Sequence, residues 1–212
     1  MGRGPVETSS PRSVPAVVPH AEAASATATS PTVNARLINT RRAVYRSPVS
    51  RPYVSVVGGS AAAGDACAAA EEVGRALAEA GAVVVTGGLG GVMEAACRGA
   101  KAGGGTTVGI LPGNDRSAAN PFVDVALPTG MGEGRNVLVV RAADALVTLD
   151  GEFGTLSEIA LALRLGKPVI GLDSTWNLSA PDRPDPIVRA ATPAEAAAEA
   201  LHRAANGGTV RP

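Results

Sequence analysis

From Tyr53 onward the chain alternates short apolar runs with longer amphipathic ones, and glycine punctuates the junctions. "YVSVV" is a β-branched run that stops at Gly58-Gly59-Ser60. Residues 65–80, "DACAAAEEVGRALAEA", carry apolar residues at helical spacing, with Asp65 placed to cap the helix start. "GAVVVTGG" predicts a second strand and "GVMEAACRGAKAG" a second helix closed by glycine. "TTVGILPG" and the shorter "FVDVALPT" predict strands, and "GRNVLVVRAA" a helix. "DALVTL", "TLSEIALALRLG" and "KPVIGL" continue as strand, helix and strand. The closing run "TPAEAAAEALHRAA" has the full signature of a helix start. Thr192 is the cap, Pro193 holds the first helical position, and Glu195 follows three residues after the cap.

The strands are near-continuous apolar runs, as strands buried on both faces must be. Alternating with helices, they predict an α/β Rossmann-like three-layer sandwich with a mostly parallel sheet. In such sheets ligands bind beyond the carboxyl ends of the strands. Function is therefore expected in the turns that follow them.

Composition narrows the classes. The chain has 212 residues, 45% of them apolar and 18% charged, which suits one domain plus an appendage. Aromatic residues make up only 2%, so stacking platforms for single-stranded nucleic acid are scarce. The formal net charge is zero, which gives no reason to expect nucleic acid or an anionic membrane as partner. No apolar run approaches the roughly 18 residues that a membrane span needs. Cys67 and Cys97 lie far apart in Ala-rich helical runs, where reduced core thiols are expected rather than a metal site or a disulfide framework.

The neutral total conceals an asymmetry. Residues 1–52 hold seven Arg against Glu7 and Glu22, so 7 − 2 = +5. Residues 53–212 hold twelve Lys and Arg against seventeen acids, so 12 − 17 = −5. Residues 1–51, rich in Pro, Ser, Ala and Thr without periodicity, are expected to be a disordered extension. Arg-rich, Ser-rich and acid-poor is also the composition of an organellar targeting segment, and that alternative stays open. The expected domain spans residues 52–212, with a cytoplasmic location.

Four of the turns share a composition: Gly58-Gly59-Ser60, the "TGGLGG" turn with Gly87, Gly88, Gly90 and Gly91, Pro112-Gly113, and the "DGEFGT" turn with Gly151, Gly154 and Thr155. Glycine permits close backbone approach to a ligand. A helix start offers free N–H groups and a partial positive charge, which suits phosphate. No dinucleotide fingerprint and no P-loop occurs. Four such turns on one sheet edge point to a phosphorylated small molecule.

The polar candidates are Arg135, Asn136, Glu94 and Glu158. Glu158 falls about one turn inside the helix that follows Gly154-Thr155. Arg135 stands at a helix start, against the dipole, so it is either solvated or holds an anion. An acid such as Glu94 near a helix start is favourable in any case.

Taken in order, "TGGLGGVMEAACRGA", "GILPG", "GMGEGRN" and "DGEFGTLSE" resemble the LOG ("lonely guy") family, once described as lysine decarboxylases. The resemblance covers residues 53–205. It implies a Rossmann-like fold, a homodimer or higher homo-oligomer, and release of the base from cytokinin-type nucleoside 5′-monophosphates with no cofactor or metal. The family motif P-G-G-x-G-T-x-x-E falls on Asp150 to Glu158, and its upstream Arg-Lys pair falls on Arg135-Asn136. On that basis Glu158 and Arg135 are the candidate catalytic pair, the carboxylate facing the ribose and the guanidinium holding the phosphate. Gly88, Gly90 and Gly91 would lie along the nucleotide, with Glu94 near the ribose.

The sequence departs from the motif where Asp150-Gly151-Glu152 replaces Pro-Gly-Gly and Asn136 replaces Lys. "GMGEGRN" and "GTLSEIA" are closer to a branch that includes molybdenum-cofactor carrier proteins. That branch implies a second function, non-catalytic binding of a pterin phosphate or of a nucleotide to be sensed.

Overall fold

The computed structural model describes residues 51–173 and 176–206. Apart from Arg51, the expected extension over residues 1–51 lies outside the described residues.

Seven strands form one all-parallel sheet. They are β1 (Tyr53–Gly58), β2 (Val83–Thr86), β3 (Thr106–Leu111), β4 (Val125–Pro128), β5 (Ala145–Leu149), β6 (Val169–Leu172) and β7 (Val188–Ala190). The spatial order is β4-β3-β2-β1-β5-β6-β7. The helices are α1 (Asp65–Glu79), α2 (Val92–Ala102), α3 (Asn136–Ala142), α4 (Phe153–Arg164) and α5 (Pro193–Ala205). Strand β7 has three residues and no counterpart in the hydrophobic pattern. It forms by pairing Ile170 with Val188 beside a strand already in place.

Strand alternation divides the core into two layers. Val54, Val56, Val84, Val147 and Leu149 face α1, α2 and α5. Val57, Val85, Leu146 and Val169 face α3 and α4. The central strands β1, β2, β5 and β6 are therefore buried on both faces, as their unbroken apolar runs imply. Edge strand β4 instead exposes Val125 and Leu127.

Small residues close the first layer. A Cβ added at Gly74 of α1 would come 2.1 Å from the carbonyl oxygen of Ala96. One added at Gly99 of α2 would come 1.8 Å from that of Glu71. Each helix presses glycine against the other's backbone, a distance that no larger residue allows.

The helix starts differ from one another. Helix α5 begins as its sequence dictates: Thr192 Oγ1 accepts from Glu195 N at 3.2 Å, and Glu195 Oε2 accepts from Ala191 N at 2.8 Å. At α1 the expected cap, Asp65, is corrected. The cap position belongs to Gly64 at φ 60°, and Asp65 is the first helical residue. Its charge there favours the helix dipole instead of satisfying an amide. Cys97 is buried with Sγ 3.4 Å from Thr86 Oγ1, and burial pushes its thiol pKa up. Cys67 and Cys97 are both free thiols. Among the described residues no helix is long and apolar enough to cross a membrane.

Candidate functional site

Strand order reverses between β1 and β5, which pair from Val54–Ala145 to Gly58–Leu149. From β1 the chain moves outward to β2, β3 and β4, then returns to the other side for β5. The two turns leaving β1 and β5 diverge there and open a crevice, the usual ligand position in this architecture. A cleft of about 610 Å³ occupies that place.

Eleven of the sequence-selected residues line it. Gly58, Gly59 and Ser60 come from the β1 turn, Gly87 from β2, and Pro112 from β3. Arg135 and Asn136 come from the start of α3, and Gly151, Gly154, Thr155 and Glu158 from the β5 turn and α4.

Five others lie outside the lining, because the turns use them to pack on one another. Gly88 has both backbone groups committed: its N–H donates to Thr86 Oγ1 and its carbonyl accepts from Asn120 N. Gly91, at φ 63°, passes so close to Gly59 that an added Cβ would meet its carbonyl oxygen at 2.3 Å. That approach lets Val92 N donate to Gly59 O at 3.1 Å and ties the β2 turn to the β1 turn. Gly90 sits over Ser60, and Glu94 lies in the first turn of α2, where its charge suits the dipole. Gly113 holds the β4 turn by accepting from Gly130 N.

Arg135 and Glu158 meet at the cleft wall. The sequence offered a solvated Arg135 as one alternative, but the residue is 8% exposed. It ends a tight 3-10 turn, Gly132–Arg135, made possible by Gly132 at φ 55°. That turn aims its side chain inward, against the Cα of Gly87, where an added Cβ would meet Nη2 at 2.4 Å. Arg135 Nη1 donates to Asn136 Oδ1 at 2.8 Å and lies 3.6 Å from Glu158 Oε1. Its Nε is buried with no hydrogen-bond partner among the described residues.

Desolvation pushes the Glu158 carboxyl up to about 7, against the opposing pull of the Arg135 charge. Burial also lowers the Arg135 pKa, with Glu158 working the other way. Asn136 links the two helices. Besides accepting from Arg135, its Nδ2 reaches Ser157 Oγ at 3.5 Å, and Ser157 donates to Gly154 O at 2.6 Å.

Helix α4 opens without a side-chain cap. Its first intrahelical bond is Leu156 N to Glu152 O, so the amides of Phe153, Gly154 and Thr155 have no intrahelical acceptor. Thr155 packs over Gly151, whose φ of 113° admits no ordinary side chain. An uncapped helix start beside a buried guanidinium has the chemistry to hold an anion.

Glu133, Asp150, Glu152 and Met93 also line the cleft and were not selected as site residues. The two acids of the "DGEFGT" turn were visible as departures from a motif, but their direction depends on backbone geometry. Met93 and Leu89 resemble any core residue in sequence.

Comparisons with known proteins agree with this fold. An uncharacterized protein of Archaeoglobus fulgidus is 50% identical over 103 residues, 49% of this chain and 68% of that protein. The molybdenum cofactor binding protein of the phototrophic bacterium Rippkaea orientalis superposes with a TM-score of 0.65 at 32% identity, covering 73% of this chain and 98% of that one. The Moco carrier protein of Chlamydomonas reinhardtii also gives a TM-score of 0.65, at 33% identity over 74% of this chain and 99% of that one. A family model spans residues 51–198, taking in all seven strands and the whole cleft, and by that match the chain belongs to the SLOG cluster4 family.

Proposed function

We propose that the cleft binds a phosphorylated small molecule without cleaving it, and that its cargo is molybdenum cofactor or a closely related pterin phosphate. The observation that carries this reading is the buried Arg135, with an unpartnered Nε, beside the uncapped start of α4. A terminal phosphate would give the guanidinium a counter-charge and the free amides an acceptor. The cleft volume of 610 Å³ is in the range that takes a drug-sized ligand. The proteins from Rippkaea orientalis and Chlamydomonas reinhardtii, similar over nearly their full lengths, support the pterin.

Asp150, Glu152 and Asn136 stand where the LOG motif has Pro, Gly and Lys, so the chain departs from the form of the motif that the hydrolase resemblance rests on. In this reading the chain's residues bind, orient and shelter the cargo. The amides of Gly154 and Thr155 and the Arg135 guanidinium hold phosphate, while Asn136 keeps the guanidinium in position. Homo-oligomer formation belongs to the same reading, with the exposed Val125 and Leu127 as the apolar surface available on β4.

A second reading is favoured by Glu158. A carboxyl titrating at about 7 beside a cleft could act as a general base in N-glycosidic hydrolysis of a nucleoside 5′-monophosphate. One pair of measurements separates the two. The protein is purified from a host that makes molybdenum cofactor, and acid oxidation is used to release any bound pterin for fluorescence. The same protein is incubated with nucleoside 5′-monophosphates and assayed for ribose 5-phosphate. Pterin retention that Arg135→Ala removes, without turnover, supports the carrier. Turnover abolished by Glu158→Ala, without retained pterin, replaces it with the hydrolase.

A further inference from the structure

We propose that Glu158 and a phosphorylated ligand compete for the Arg135 guanidinium, so that the cleft takes up a proton with the ligand and releases both together. This rests on the reading that Arg135 and the start of α4 hold the ligand's phosphate. Glu158 follows Gly154 and Thr155 at helical spacing, which puts all three on one face of α4. Side chains on a helix lean toward its N-terminus. The carboxyl is thereby directed back at the turn whose Gly154 and Thr155 amides lack intrahelical acceptors. All three residues line the cleft, as does Arg135.

Charge alone holds the carboxyl. Arg135 Nη1 lies 3.6 Å from Oε1, beyond hydrogen-bond reach, and donates to Asn136 Oδ1 instead. No described residue donates a hydrogen bond to the Glu158 carboxyl. The elements packed around it add no second buried charge. Strands β5 and β6 hold no titratable residue, and β1 holds only Tyr53, at its far end. Arg141 of α3 and Arg164 of α4 are exposed in the last turns of their helices. Glu133, Asp150 and Glu152 line the cleft but are exposed to water, which screens them.

An ionised phosphate and an ionised carboxylate cannot share one buried guanidinium without leaving negative charge uncompensated. The phosphate has the α4 amides as well, and the carboxylate has no other partner. Glu158 therefore gives way, taking a proton from solvent onto a carboxylate oxygen. The neutral acid can then donate to a phosphate oxygen. Desolvation already pushes this carboxyl up to about 7, so the exchange falls at neutral pH.

Calorimetric titration of the full chain with 6-hydroxymethylpterin phosphate, in buffers of different ionisation enthalpy, counts the protons. At about pH 8 the parent should take up about one proton more per ligand than Glu158→Gln, which reports the ligand's own titration. Relative to that variant, the parent's affinity should fall about tenfold between about pH 6 and pH 8, as the protonated fraction of Glu158 falls. Equal proton uptake in the two proteins, or an affinity ratio flat with pH, would overturn the competition and leave the phosphate site standing. Infrared difference spectra of the parent with isotope-labelled glutamate give a readout that needs no variant. Ligand should raise the acid C=O band and lower the carboxylate band, and no change in either would overturn the inference. No binding by parent or variant at any pH would overturn both this inference and the reading beneath it.

Discussion

Arg135 Nη1 stands 3.6 Å from Glu158 Oε1, with the two side chains 10% and 7% exposed. The pair is close enough to attract and too buried to be well solvated. Desolvation exceeds attraction at the carboxyl, whose pKa rises from 4.5 to about 7. The stability of the fold should therefore depend on pH in a defined direction. Below 4.5 the native and unfolded states both hold the proton. Between 4.5 and about 7 the unfolded chain releases it while the native chain keeps it. Stability should fall as pH rises through that window and level off above it, by on the order of 1–3 kcal/mol. Urea unfolding of the parent and of Glu158→Gln measures the effect. The variant should match the parent at the acid end and lack its slope. Identical slopes in the two proteins would mean that native Glu158 titrates in its ordinary range.

Arg135 has charge, a planar fork and a fixed partner, and these can be separated. Arg135→Lys keeps the charge but loses the guanidinium fork and the bond to Asn136 Oδ1. Arg135→Ala removes all three and leaves the Glu158 carboxyl more strongly protonated. Affinity for a phosphorylated ligand should drop by about tenfold to a hundredfold in the alanine variant, the usual worth of charge-assisted hydrogen bonds. The lysine variant should fall between. Equal affinities in parent and alanine variant would remove Arg135 from the anion site.

Much of this architecture was legible in the chain. Unbroken runs such as "AVVV" and "ALVTL" can be satisfied only by strands buried on both sides, and the glycine turns mark their carboxyl ends. The spacing between Arg135 and Glu158 was legible as well, but their burial was not. A 3-10 turn ending at Arg135 reverses the expected outward direction of a charged residue, and local sequence does not encode what that turn packs against. The glycines divided for a similar reason. Gly87 and Gly91 look alike in "TGGLGG", yet one lines the cleft and the other is pressed against Gly59. Strand β7 had no signal of its own, because three residues form a strand only when β6 offers an edge.

That division gives a direct contrast between two glycines once grouped together. Gly91→Ala forces a Cβ to 2.3 Å from Gly59 O at a φ of 63°. Both the clash and the left-handed backbone oppose it, and a loss of roughly 1–3 kcal/mol or more is expected. Gly113 has nothing within 4 Å of its added Cβ and lies outside the cleft. Gly113→Ala should leave the urea midpoint and ligand affinity unchanged. A binding defect in Gly113→Ala with normal stability would restore Gly113 to the site.

The α1–α2 contact sets helix propensity against packing. In an isolated helix, Gly to Ala is favourable by about 1 kcal/mol. At Gly99 that gain meets an added Cβ only 1.8 Å from Glu71 O, on backbone that cannot rotate away. The two helices would have to separate, loosening Ala70, Val73 and Ala96 from one core cluster. Overpacking of this kind typically costs about 1–3 kcal/mol, so the net effect of Gly99→Ala should be destabilising despite the better propensity. Gly104, at φ 72° beyond the end of α2 and with open space around it, serves as the comparison. Gly104→Ala carries backbone strain alone and should cost less. A Gly99→Ala protein with an unchanged or higher urea midpoint would mean that α1 and α2 adjust their separation freely. The close glycine contact would then not be what sets this layer's geometry.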